Sequence, residues 1–235
     1  MSRLSATMGV DIRLQVRQGF YYAAAFAVVV LVVVINQLPQ ENIAWAMPIL
    51  ISGNLLINAF YFIGGLVLLE KSEGSLEAQV VTPLRTGEYL ASKTLTLSLL
   101  SLFESLIIVA LTVGADVRWA SLAAGVVLMA AMMALIGFVA VSRYDSINEF
   151  LFPSIVYVLF LSLPMALYLG FWEIPLIYLH PLQAPLVLMK DAFGVGQIAT
   201  WELVYGAGYS ALWIGLMYAW SKRAFVRFVI RKEGT

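Results

Sequence analysis

The chain has 235 residues, 62% of them apolar and 12% charged, with a formal net charge of zero and no cysteine. Soluble domains carry about 25% charged residues, so an ordinary soluble domain is excluded, and with it a soluble nucleic-acid binder. The absence of cysteine excludes a disulfide framework and thiolate-based metal or redox chemistry.

Residues 1–18 read as an interfacial segment. Val10, Ile12, Leu14 and Val16 alternate as in a strand, while Leu4, Met8, Ile12 and Val16 recur every four residues as in a helix. The helical reading places Arg3, Arg13 and Arg17 toward water and headgroups and the apolar stripe in the interface. The apolar run that follows is of full spanning length and lacks a small-residue cleavage pattern, so it reads as a retained anchor and not a signal peptide.

A helix needs about 20 apolar residues to cross a hydrocarbon core of about 30 Å, and only a helix satisfies its own backbone there. Six stretches meet this, at about 19–38, 46–69, 89–114, 119–141, 150–170 and 203–221. The expectation is an all-α membrane protein: a single transmembrane domain over 1–235, with six helices, in a cell membrane. With both ends cytoplasmic, the inner segments hold Arg3, Arg13, Arg17, Lys71, Arg85, Lys93, Arg143, Lys222, Arg223, Arg227, Arg231 and Lys232. The outer segments then hold only Arg118 and Lys190. This is the bias that keeps Lys- and Arg-rich loops inside. Trp45, Trp119, Trp172 and Trp201 fall at the expected outer ends, where indole rings favour the headgroup region.

The second span carries Asn54, Asn58, Tyr61 and Gly65 at helical spacing, a side that faces packing or a cavity. The inner loop, 70–88, begins Glu70-Lys71-Ser72-Glu73-Gly74-Ser75-Leu76-Glu77. It fits a short amphipathic helix over 70–81, with Leu76 and Val80 four apart, ending at Thr82-Pro83 because Pro83 disfavours helix at the residue before it. Thr86 is placed to cap the next helix, and Glu88 suits its positive end.

Glu104 follows Lys93 by eleven residues, about 16 Å along the third span. It lies beside a stripe of Thr94, Ser98, Ser101, Ser105 and Thr112. Acids inside a membrane mark substrate or proton sites, or bond to neighbouring helices. Pro153 and Pro164 weaken the hydrogen-bond ladder of the fifth span. The outer loop, 171–202, holds two apolar stretches too short to span, broken by Pro175, Pro181 and Pro185, and fits either a re-entrant or interfacial hairpin or a lid. Gly206 and Ser210, with the alanines of the fourth span, form small-residue faces that let helices approach.

Enzyme chemistry is not visible. His180 is the single histidine, in the outer loop, which leaves no basis for a histidine zinc site or a serine–histidine pair in the membrane. No G-x-x-x-x-G-K-[ST] phosphate loop occurs, so the chain is not expected to hydrolyse ATP.

Glu70, then Glu73-Gly74-Ser75-Leu76-Glu77, Thr82-Pro83-Leu84, Glu88-Tyr89-Leu90 and Lys93 resemble an ordered pattern of the permease subunits of type-2 ATP-binding-cassette exporters. That pattern is an acidic-glycine-small-leucine helix, a proline break and a tyrosine-leucine-x-x-lysine entry into the third span. The likeness extends over nearly the whole chain and is nearest to the small permeases named for fluoroquinolone export. It implies a half-transporter: two permease subunits, identical or related, each resting on a separate ATPase subunit that binds ATP and Mg, while this chain binds no cofactor. It further implies a coupling helix with Glu70, Glu73, Gly74, Leu76, Glu77 and Pro83 against the ATPase. It also implies that spans two and five line the route at the dimer interface, near Asn54 and Asn58; the polar faces add Tyr61, Ser101 and Glu104 as candidates, for a hydrophobic or amphipathic drug-like or lipid-like molecule. Two other readings are an ATP-independent channel or secondary carrier working through Glu104, and a haem-delivery or assembly subunit of the same architecture.

Overall fold

The computed structural model describes residues 3–76, 85–171 and 174–230. Among them every regular element is helical, as the composition predicts. The elements are α1 (Arg3–Arg17), α2 (Phe20–Ile35), α3 (Gln40–Leu55), a π-helical segment (Leu56–Tyr61) and α4 (Phe62–Ser72). There follow α5 (Thr86–Thr112), α6 (Trp119–Val141), α7 (Ile147–Leu161), α8 (Leu163–Tyr168), a 3₁₀ turn (Pro175–Leu179), α9 (Gln183–Ala192), α10 (Thr200–Phe225) and a terminal π-helical segment (Val226–Ile230).

Three continuous helices have the length and apolarity to cross a membrane: Gln40–Ser72, Thr86–Thr112 and Trp119–Val141. The α1–α2 pair, bent by 65° at Gly19, makes a fourth if taken as one span. Gly19 has φ of 87° there, a left-handed conformation that favours glycine. The remaining expected spans differ from simple rods. The fifth is broken at Ser162 into α7 and α8, with Pro164 at the start of α8, where a missing N–H costs least. The sixth, α10, is long enough but carries Glu202, Lys222 and Arg223 at its ends.

α6 is the hub, packed by α5, α10, α9, α4, α3 and the first π segment. It is apolar all round and rich in alanine and glycine, the pattern of a helix enclosed by others. A Cβ on Gly137 would lie 2.8 Å from the Phe60 carbonyl oxygen, and one on Gly125 2.9 Å from Met189 Cγ. Both glycines let neighbouring backbones come close. Gly206 does the same on α10, where a Cβ would meet Leu188 at 2.8 Å, as expected of that small-residue face. α9 thereby lies buried between α6 and α10, with only Lys190 and no other residue of the helix partly exposed. Its Asp191 is held by the exposed Arg118 and by Ser121 Oγ, which donates at 2.6 Å. The second apolar stretch of this loop is therefore enclosed by protein, whereas Ile174, Leu176 and Leu179 of the first are exposed.

α1 is a helix and not a strand, and it has a third face that periodicity did not reveal. Val10, Ile12 and Val16 point outward, as do Arg13 and Arg17, while Asp11 and Gln15 are buried against α5.

Candidate functional site

Two buried polar clusters occupy different levels of the bundle. The first joins the faces that periodicity marked on the second and third spans. Asn54 Nδ2 donates to Glu104 Oε2 at 3.2 Å, and Asn58 Nδ2 donates to the same oxygen. Asn54 and Glu104 are 4% exposed and Asn58 is fully enclosed. Asn58 lies within the π segment, whose widened turn departs from α-helical register; such turns are frequent at functional sites. Ser101 joins the cluster's level of α5, with Ser98 and Ser105 on adjoining turns, all buried.

Its hydrogen bonding is incomplete. Glu104 Oε1, Asn58 Oδ1 and the hydroxyls of Ser98, Ser101 and Ser105 have no hydrogen-bond partner among the described residues. Nor is a counter-charge near. The helices α3 to α6 contain two basic residues within their bounds, Lys71 and Lys93, and both are engaged elsewhere. Lys71 Nζ donates to the carbonyls of Ser142 (2.9 Å) and Tyr144 (2.7 Å) and pairs with Asp145. Tyr61, expected on the same route, lies apart: its hydroxyl is 3.2 Å from Ser154 Oγ on α7.

The second cluster lies where α1, α4 and α5 meet. Lys93 Nζ pairs with Glu70 Oε1 at 2.5 Å and with Asp11 Oδ1 at 3.0 Å. Tyr89 OH donates to Glu70 Oε2 at 2.6 Å, and Ser92 Oγ donates to Asp11 Oδ2. All four carboxylate oxygens are thus satisfied, and the ammonium also lies 4.8 Å from the centre of the Tyr89 ring. Alongside, Gln15 Nε2 donates to Thr96 Oγ1 at 2.9 Å. A buried charge is tolerated when paired and hydrogen-bonded in this way. Asp11 was the residue missed by sequence reading; its signal was that it is the single acid among the basic residues of the first eighteen.

The inner loop differs from one helix over 70–81. α4 ends at Ser72, and Gly74 takes a φ of 67°, so Glu70 belongs to the end of the span and is 1% exposed. Leu76 packs into the chain's own core at 2% exposed, whereas Glu73 is exposed. Glu77 and Pro83 lie outside the described residues. α5 starts at Thr86 itself, with Arg85 in the capping position and Glu88 Oε2 accepting the Arg85 N–H at 3.0 Å.

His180 ties the 171–202 segment to α7. Its Nε2 lies 3.1 Å from the Phe160 carbonyl oxygen, and its Nδ1 accepts the Leu182 N–H at 3.2 Å. Those partners require the neutral ring, and burial pushes its pKa down to about 4. Among the described residues no group of three or more His, Asp or Glu side chains is arranged to hold a metal.

The model of the fluoroquinolones export permease protein family matches residues 2–233. The chain belongs to that family. The fluoroquinolones export permease proteins of two Mycobacterium tuberculosis strains, CDC 1551 / Oshkosh and H37Rv, are each 32% identical to it over 235 residues. Those alignments cover 100% of this chain and 99% of each relative. Membership spans both polar clusters and the inner loop, and with the apolar helices it makes the chain a membrane-embedded permease.

Proposed function

We propose that this chain is the membrane-spanning permease subunit of an ATP-driven exporter. It moves hydrophobic or amphipathic small molecules, fluoroquinolone-like drugs among them, out of the cell. The observation that carries the reading is the full-length likeness to proteins named as export permeases. The topology proposed is six spans in the cell membrane, formed by α2, α3–α4, α5, α6, α7–α8 and α10, with both ends cytoplasmic. The inner and outer distribution of Lys and Arg supports it. ATP and Mg belong to a separate ATPase subunit, and this chain binds neither.

The loop between α4 and α5 is the proposed coupling element, and the Asp11–Glu70–Lys93 cluster gives it a mechanical base. A push on the loop reaches α1, α4 and α5 together, because one ammonium joins all three. Within the loop the contact to the ATPase falls to exposed Glu73 and to the segment with Glu77 and Pro83, while Glu70, Gly74 and Leu76 shape it from behind. A second permease subunit, identical or related, completes the transporter. The α7 face, with Phe152 82% and Val156 69% exposed, suits that contact better than α6 does. Asn54, Asn58, Ser101 and Glu104 supply the polar element of the route.

Co-purification tests the partnership: the chain should retain an ATPase subunit through affinity purification, and Glu73→Lys should weaken retention without changing the yield of folded chain. Purification of the intact chain free of any ATPase would count against it. The uncompensated Glu104 favours one second reading, a carrier that works without ATP. Transport by the purified chain alone would select it.

A further inference from the structure

The inner end of α10 carries a feature that the export reading does not use. Trp213, Leu216, Trp220, Arg223 and Arg227 recur at spacings of three, four, three and four, so they form one stripe along the helix and into the terminal π segment. They line a single open groove of about 600 Å³. Leu216 and Trp220 are 52% and 49% exposed, and both arginines are exposed. An adjoining groove of about 500 Å³ adds Lys222 and Val226 beside the same arginines. Neither Arg223 nor Arg227 has an acidic partner among the described residues.

The stripe changes chemistry along its axis. Its outer part is aromatic and aliphatic, and its last turn and a half is cationic. The fourteen steps from Trp213 to Arg227, at about 1.5 Å each, give roughly 21 Å, close to one leaflet of a bilayer whose full thickness with headgroups is about 40–45 Å. We infer that this groove holds an anionic glycerophospholipid, with an acyl chain along Trp213, Leu216 and Trp220 and its phosphate between Arg223 and Arg227. Charge complementarity selects the occupant: a neutral-headgroup lipid fills the apolar part equally well but leaves two guanidinium groups unanswered, and Arg matches a phosphate with paired donors. The inference needs the chain in a membrane but not its coupling to an ATPase.

The test uses the full chain in detergent, with phosphatidylglycerol or phosphatidylcholine added and bound lipid counted by native mass spectrometry. Wild type should prefer phosphatidylglycerol by a factor on the order of thirty, which two basic residues near an anionic surface give. The Arg223→Gln/Arg227→Gln variant should lose that preference, and because both side chains are exposed it should keep its fold. Trp220→Ala should weaken both lipids alike and keep the preference. Equal binding of the two lipids by wild type would overturn the inference, as would an undiminished preference in the double arginine variant. Displacement of the lipid by soluble glycerol phosphate at equal concentration would reduce the groove to an anion site and overturn it too. If the double variant loses a bound ATPase subunit while keeping the lipid preference, the surface belongs to a protein partner instead.

Discussion

The two buried polar clusters are both built on α5 and on the helix that precedes the inner loop, yet they are opposites in how they satisfy their carboxyl groups. At the inner level, Glu70 and Asp11 share Lys93, and every carboxylate oxygen has a donor. At the other level, Glu104 has two amide donors on one oxygen and, among the described residues, no donor on the other and no ion pair. A fully satisfied network fixes a geometry; a partly satisfied one is costly for the resting fold. In the proposed function the first cluster is the rigid base and the second is the polar element of the route.

The largest difference should appear on removing Lys93. Lys93→Met leaves two buried carboxylates unpaired, and losing one partner of a buried pair costs about 3–5 kcal/mol. Thermal unfolding in detergent should show a severe loss, or no folded protein at all. Glu104→Gln, by contrast, keeps the shape and an oxygen to accept the two amides, so stability should hold within about 1 kcal/mol while export falls at least tenfold, the effect of losing roughly 1.4 kcal/mol of transition-state stabilisation. If Glu104→Gln unfolds the protein and Lys93→Met does not, the two roles are reversed.

Packing under the Glu104 cluster should rank next. A Cβ on Gly137 would stand 2.7 Å from Ile63 Cγ2 and 2.8 Å from the Phe60 carbonyl, displacing the π segment that carries Asn58. Gly137→Ala should cost about 1–3 kcal/mol. It should also reduce export more than Gly125→Ala, which presses on α9 and leaves the π segment alone. Equal losses of export would separate the π segment from function.

The smallest effect tests the outer hairpin, which belongs to neither cluster. The folded His180 pKa of about 4 lies below the ordinary value of 6.5, so the folded state resists a proton that the unfolded chain takes up. The group contributes nothing above pH 6.5 and destabilises as pH falls from there through about 4, by roughly 2 kcal/mol at pH 5. In unfolding curves, the stability of wild type relative to His180→Gln should therefore fall by roughly 2 kcal/mol between pH 7 and pH 5, whatever the difference at pH 7. Parallel curves would mean that the hairpin holds a charged ring.

Much of the Glu104 cluster was legible in the sequence, and much of the inner one was not. Helical spacing marked Asn54 and Asn58 on one face and Glu104 beside the Ser101 stripe on another, because a 3.6-residue period is a local property. That those faces meet is a matter of tertiary packing. So is the π segment, which lies where α6 presents Gly137 to the Phe60 backbone. The expected amphipathic helix over 70–81 is interrupted at Glu73 and Gly74, with helical backbone resuming at Ser75 and Leu76, and its remainder lies outside the described residues. Composition cannot distinguish an acid that ends a span, Glu70, from one that begins a loop, Glu73, when both lie in one polar run. Six apolar stretches were also easier to count than to classify: α7 and α8 share one stretch, yet Ser162 and Pro164 divide it, and the tyrosines, tryptophans and glycines within α10 leave it less apolar than its length suggests.

In the proposed function, export requires this chain, a separate ATPase and the Glu104 carboxyl together. Proteoliposomes containing the chain and its co-purified ATPase should accumulate a fluorescent fluoroquinolone when ATP is supplied on the ATPase side. Accumulation should cease without ATP and fall at least tenfold with Glu104→Gln at unchanged assembly. Equal accumulation by the chain alone, without ATPase or ATP, would contradict it.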